Sequence, residues 1–254
     1  MMETMELHKT IPDNVVLELI RTDNRCDFIC DYLNKKQIKF KSQKFDSAFG
    51  VGENVVVEIH NNAKDSVLIS AHYDDTGIYD NCGGVFQLLI LCEKLSSLNI
   101  SNYKCNYVLI FTDQEESFQQ GIYHYLKFNS KLNFKYHLNI DGLGVGEEVM
   151  LYNSFGGHLV VNWLVEQEKV ILLTDSAPFT ALPIDSYHLF SCYKSDAVEL
   201  SITQKLHIGF KKYFDEDWCL SNFNEDHFFA IYTDKILNLI ADHNNFNSQM
   251  FFSV

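Results

Sequence analysis

The chain has little of what divides, anchors or staples a fold. Three prolines in 254 residues, with no repeat and no Pro/Gly-rich linker, leave no visible seam. The expectation is therefore one domain over 1–254, with 1–50 as an N-terminal helical segment packed on it. Long apolar runs are missing too: the most apolar stretch, Val85 to Cys92, falls far short of the ~18–20 residues of a membrane span. Met1 to His8 shows neither a basic start nor an apolar core, so no secretory signal is visible. The seven cysteines follow no regular framework. Cys26 and Cys30 stand at helical spacing, but no second Cys/His pair lies at zinc-finger distance. Reduced thiols in a cytoplasmic protein are the expectation. Positive charge is short, with 20 Lys and Arg against 34 Asp and Glu and a net charge of −14. A sequence pI near 5.0 argues against nucleic acid and anionic membranes as partners, since both are negative themselves.

What is present is an ordinary globular composition, 46% hydrophobic and 21% charged. Asp13 to about Leu33 has helical periodicity, and Ser47 to Asn54, with Gly50 and Gly52, reads as a loop. Val55 to Ile59 and Val67 to Ile69, joined by a polar turn through Asn61 and Asn62, suggest an antiparallel pair. Val85 to Leu98 is apolar nearly all round and reads as a buried helix. Strands follow near 107–111, 136–140 and 148–152, and helices near 120–128 and 157–167. Asp185 to Cys192 reads as a short helix capped by Asp185 or Ser186. Ala197 to Ile202 is strand-like, and Asp226 to Asp242 closes as an amphipathic helix. This alternation predicts an α/β fold: a mixed, largely parallel sheet flanked by helices on both faces.

Three of these strands stop at residues that bind metals. Val67-Leu68-Ile69 runs into Ser70-Ala71-His72-Tyr73-Asp74, Val108 to Phe111 into Thr112-Asp113-Gln114-Glu115-Glu116, and His137 to Ile140 into Asp141-Gly142. Sites in open α/β sheets form at such carboxyl ends. His72 and Asp74 are two apart and share a side of an extended segment, so Asp74 can hold the ring nitrogen that a metal leaves unused. Asp80, in Asp80-Asn81-Cys82-Gly83-Gly84, has a plain reading as a helix cap and a functional one as a carboxylate between two ions. Glu115 and Glu116 diverge as neighbours, so one can bind a cation while the other takes a proton from water. A helix start favoured by acids would explain the pair equally, and a turn would explain Asp141.

Taken together, these residues resemble the di-zinc aminopeptidases of metallopeptidase family M28, from about Arg25 to the C-terminus. His72-x-Asp74, Asp80-Asn81, Glu115-Glu116 with Gly121, and Asn139-Ile140-Asp141 match four motifs in order. The resemblance implies two zinc ions, with His72 and Asp141 binding one each, Asp80 bridging, Glu116 completing one shell and Glu115 as general base. It also implies a late histidine, preceded by a Ser-Asp-His, Phe, Gly-Ile-Pro-Ala segment. Asp185-Ser186-Tyr187, Phe190 and Lys194 to Val198 fit that layout, which makes His207 the expected ligand ahead of His188 and His227. Two departures stand out. Only eight positions separate His72 from Asp80, and the acid expected just after the late histidine is displaced to Asp215.

Substrate choice turns on arginine. The only arginines are Arg21 and Arg25, outside every motif, whereas a peptide's C-terminal carboxylate is usually clamped by a guanidinium. Lys194, Lys205 and Lys211 are the other cations available. Recognition of a free α-amine by carboxylates, hence an aminopeptidase acting on peptides or small aminoacyl compounds, is the expectation. A glutaminyl-peptide cyclase, a one-zinc relative on the same fold, and a non-catalytic member of the fold are the alternatives.

Overall fold

A computed structural model describes residues 14–75, 77–97, 105–130, 133–146, 148–153, 184–192, 215–223 and 250–253, with single positions 175, 178, 179, 182, 233, 236, 237 and 240. The elements are α1 (Asn14–Arg21), α2 (Arg25–Lys35), β1 (Lys41–Ser47), β2 (Gly50–Ile59), β3 (Ser66–His72), α3 (Cys82–Ser97), β4 (Asn106–Thr112), α4 (Gln120–Phe128), β5 (Phe134–Ile140), β6 (Glu148–Asn153), β7 (Asp185–Cys192), α5 (Glu216–Asn222) and β8 (Met250–Ser253). Eight strands form one sheet in the order β1-β2-β4-β3-β5-β7-β6-β8. The central four, β4-β3-β5-β7, are parallel, and the strands outside them pair antiparallel.

The pleat sorts the core into two layers. Val55, Val57, Val67, Ile69, Leu109, Phe111, Leu138, Ile140 and Leu189 meet α1, α2 and α3 on one face. Thr233, Ile236, Leu237 and Ile240 are helical positions, and Ile236 and Ile240 join that layer. On the other face Val56, Leu68, Val108 and Ile110 pack on Ile122 and Tyr125 of α4 and on Phe179. Every residue of α3 from Cys82 to Cys92 is buried, as its apolar circumference predicts.

Three expectations fail. Residues 50–54 are not loop but the first half of β2, hairpinned to β1 with Ser47 opposite Gly50. Gly50, with φ +116°, serves a tight turn instead of a long one, and Gly52 within β2 leaves room for the Phe45 ring. β2 and β3 are not a pair, because β4 lies between them and receives Val55 against Phe111. The polar turn wraps the start of β4: Asn106 Oδ1 accepts from the Asn61 N–H at 2.8 Å. Asp185 to Cys192 is strand β7, flanked by β5 and β6. A strand buried on both faces lacks polar alternation, so its cap-like Asp-Ser start imitated a helix. The helical pattern expected over 13–33 is α1 and α2, separated by residues 22–24, where Asn24 caps α2 by accepting from the Asp27 N–H. The segments 157–167 and 197–202 and most of 226–242 lie outside the described residues.

Candidate metal centre

Face and strand end together place the site. Ser70 and His72 share a side of β3 with Leu68, and Thr112 lies beside His72 across the β3–β4 register. His72 is 1% exposed. Its Nδ1 lies 3.2 Å from Asp74 Oδ1, which leaves Nε2 facing Asp80 Oδ1 at 2.9 Å and Asp141 Oδ1 at 3.4 Å. Asp74 also accepts from the Glu116 N–H through Oδ2 at 3.2 Å, tying the first strand end to the second.

The innocent roles open to these acids are filled by other residues. At the start of α3, it is Asn81 Oδ1 that accepts from the Gly84 N–H at 3.0 Å, so Asp80 is not spent as a cap. Asn81 also accepts from the Gly142 N–H at 3.3 Å and donates to the Ile140 carbonyl at 3.0 Å. One buried amide thus locks Asp80 to the strand end that carries Asp141. A Cβ on Gly83 would overlap the Leu143 carbonyl, and one on Gly84 the Ile140 carbonyl, which is why this helix start needs glycine. The Asp80–Asn81 peptide bond is cis. α4 begins only at Gln120 and has no acid in its first turn, so Glu115 and Glu116 are not helix-start acids. They sit in a turn fixed by Gln119 N–H to Glu115 O at 2.8 Å and Gly121 N–H to Asp113 O at 3.0 Å.

Three sets of side chains bring one candidate ligand atom each within 4.8 Å of one another: His72, Asp80 and Asp141; His72, Glu115 and Glu116; and Asp75, Asp80 and Glu116. The donor set of one imidazole nitrogen and carboxylate oxygens suits zinc. The Glu115 Oε1 atom is buried without a hydrogen-bond partner. Buried polar atoms ordinarily have one, so this oxygen fits a cation. Charge strain tells the same story. Burial alone would lower the His72 pKa, but bonds and charge from Asp141, with Asp74 and Asp80, raise it well above its ordinary value. Burial, with the Asp141 charge, raises Asp80. Burial also lifts Glu115 far above the carboxylate range, with Asp175 and Asp141 adding repulsion that the His72 charge opposes.

The structure therefore gathers His72, Asp74, Asp80, Asp141, Glu115 and Glu116. His207 and His227 lie outside the described residues. His188 joins none of the three sets: it is 7% exposed on β7, with Nδ1 3.3 Å from Asn139 Nδ2, and burial lowers its pKa. Beneath the site, His137 is held between the Ser70 and Ser186 hydroxyls, each at 2.8 Å, and stacks on Phe179. Asp215 caps α5 by accepting from the Trp218 N–H at 2.9 Å.

Two contributors escaped sequence reading. Asp75 was hidden by its neighbour Asp74. Asp175 is fully buried, accepts from Thr112 Oγ1, and has its pKa lifted to about 7 by burial. Its signal was Thr174-Asp175 with Phe179 shortly before a strand, an order closer to the Ser-Asp-His, Phe pattern than the segment from Asp185.

A histidine and several carboxylates at the carboxyl ends of parallel strands, under helices on both faces, define an α/β exopeptidase-type fold with a candidate cation site. The chain belongs to peptidase family M28, whose model matches residues 54–190. Among curated proteins it is similar to the vacuolar membrane proteases of Vanderwaltozyma polyspora, 24% identical over 155 residues, and of Debaryomyces hansenii, 27% over 138. These matches cover 56% and 51% of this chain but only 16% and 13% of the relatives' own length. In fold it is similar to a Zn-dependent exopeptidase from Parabacteroides distasonis, with TM-score 0.64, 15% identity, and coverage of 90% and 96% of the two chains. Tannerella forsythia glutaminyl cyclase gives 0.62 at 15% identity with the same coverage.

The expected cytoplasmic location does not stand, because three curated relatives are named vacuolar membrane protease. The cysteines among the described residues are free, and free thiols carry no record of the compartment. No described helix is long and apolar enough to cross a membrane.

Proposed function

We propose that the chain is a two-zinc aminopeptidase that hydrolyses the N-terminal peptide bond of peptides. The observation that carries this reading is the sharing of Asp80 between the His72–Asp80–Asp141 set and the Asp75–Asp80–Glu116 set. One carboxylate between two cation positions is what a bridging ligand requires. His72 and Asp141, only 3.4 Å apart, would share one ion instead of taking one each, with Glu116 and His207 on the other and Asp75 in reach of the second. When bound, the ions polarise the scissile carbonyl and bring the pKa of water toward ~7. Glu115 then accepts the proton of the attacking water and returns it to the leaving amine. Asp74 keeps His72 in the tautomer that presents Nε2. The buried Arg25 offers no clamp for a C-terminal carboxylate, which favours recognition of the α-amine. The names of the curated relatives support a vacuolar-membrane setting for this activity.

The likeness to glutaminyl cyclase supports a second reading, a one-zinc cyclase. Zinc content, hydrolysis of aminoacyl anilides and cyclisation of an N-terminal glutamine peptide separate the two. Two equivalents of zinc with hydrolysis are expected; one equivalent with cyclisation moves the assignment to the cyclase, and a protein that binds no metal and turns over neither substrate is a non-catalytic member of the fold. His207→Ala should lower zinc occupancy to about one equivalent, and an unchanged count would remove His207 from the ligand set.

A further inference from the structure

Arg25 is one of two arginines in the chain and is 6% exposed. It opens α2, outside the span 54–190 that carries the family match, yet it reaches the metal loop. Its Nη1 donates to the Asp75 carbonyl and its Nη2 to the Gly77 carbonyl, the latter at 3.4 Å. Those two carbonyls lie in the short connection from β3 to α3, between Asp74 and Asp80. The same loop is pinned at its far end by the Cys82 N–H donating to the Gly77 carbonyl at 3.3 Å and at its centre by the Gly77 N–H donating to Asp75 Oδ1 at 3.2 Å.

Placing a guanidinium here is costly unless it is compensated, because desolvating a cation costs several kcal/mol. The two carbonyl dipoles supply compensation. What the arrangement gains is geometry. A planar fork that bonds two carbonyls two residues apart fixes the backbone between them in a way a lysine's point charge cannot.

We propose that Arg25 is a positioning residue for the metal centre. By pinning the Asp75 and Gly77 carbonyls it holds Asp74 against His72 Nδ1 and keeps the Asp75 and Asp80 carboxylates where His72, Asp141 and Glu116 can share cations with them. This inference rests on reading the cluster as a metal site. It makes the N-terminal segment a working part of that site, although the family motifs begin only at His72. Arg25 does not bind substrate, since it is buried and both arms of its fork engage the main chain.

The test is zinc titration of the full chain against a competing chelator, for wild type, Arg25→Met and Arg25→Lys, with thermal melts of each metal-free protein. Loss of a partner that orients metal ligands typically costs about 10–100-fold in affinity. Arg25→Met should lose that much, and Arg25→Lys should recover only part of it, with metal-free melts within a few degrees of wild type. Zinc affinity within twofold of wild type in Arg25→Met overturns the proposal. Should Arg25→Met not fold, Arg25→Lys decides alone, and unchanged affinity there overturns it. A wild type that binds no zinc instead overturns the reading of the site itself.

Discussion

At the scale of single residues the site is a problem of crowded negative charge. Glu115 is buried with an unpartnered oxygen, and Asp175 is the leading carboxylate that repels it. Glu115→Gln removes the base but leaves the cation-binding atoms in place. It should therefore retain zinc and lose at least ~100-fold in kcat, the low end for general base catalysis; a variant that stays active removes Glu115 from that role. Asp175→Asn acts in a different way. Cancelling that charge eases ionisation of Glu115, so the acidic limb of the kcat/KM–pH profile should move to lower pH with zinc content unchanged. A profile that does not move would show that Asp175 serves Thr112 alone. The sequence exposed Glu115 because it adjoins Glu116 after a strand, and it hid Asp175. Sixty positions separate the two acids in the chain, and only folding brings them within electrostatic reach.

Among elements, the strand ends were legible, whereas strand β7 and the partner of β2 were not. β3, β4 and β5 are short, carry buried apolar residues and are followed at once by polar ones, so both their type and their role could be read locally. β7 is equally buried but opens on Asp185-Ser186, and that local signal pointed to a helix. Closeness along the chain favours a β2–β3 hairpin, but the long-range partner β4 takes the same edge. Helix α3 shows how an element can serve the site directly. Its first turn lies against the Ile140–Leu143 backbone, and Asn81 bonds three main-chain groups there. Gly83→Ala should force that turn away from Leu143. Overpacking of this kind costs ~1–3 kcal/mol, or ~2–12 °C in Tm at this chain length, and zinc binding should weaken with it. An alanine variant of wild-type stability and zinc affinity would show that the close approach is dispensable.

For the molecule as a whole, the net charge of −14 and the acid cluster make cation binding and stability one question. His72, Asp80, Glu115, Glu116 and Asp175 all have pKa values raised in the metal-free fold. A raised value means that the fold holds its proton more tightly than the unfolded chain does. The stabilisation is complete at pH values below the unfolded pKa and is lost as pH climbs through the folded one. For Asp175 that window runs from 3.8 to about 7. Asp141 alone in the cluster is lowered, with burial opposing the His72 charge that wins, so it contributes in the opposite sense. Buried His137 and His188 have lowered pKa values and gain stability only up to their ordinary value of 6.5, so the metal-free protein loses stability between pH 6.5 and 8. Zinc reverses the slope, because it displaces the same protons and binds more tightly as they become scarce. Melting curves with chelator should fall by ~4–8 °C across that range, equivalent to ~2 kcal/mol. With saturating zinc the Tm should hold or rise over the same range. Parallel curves with and without zinc would mean that the acid cluster does not take up metal, and the two-ion reading would fall with that result.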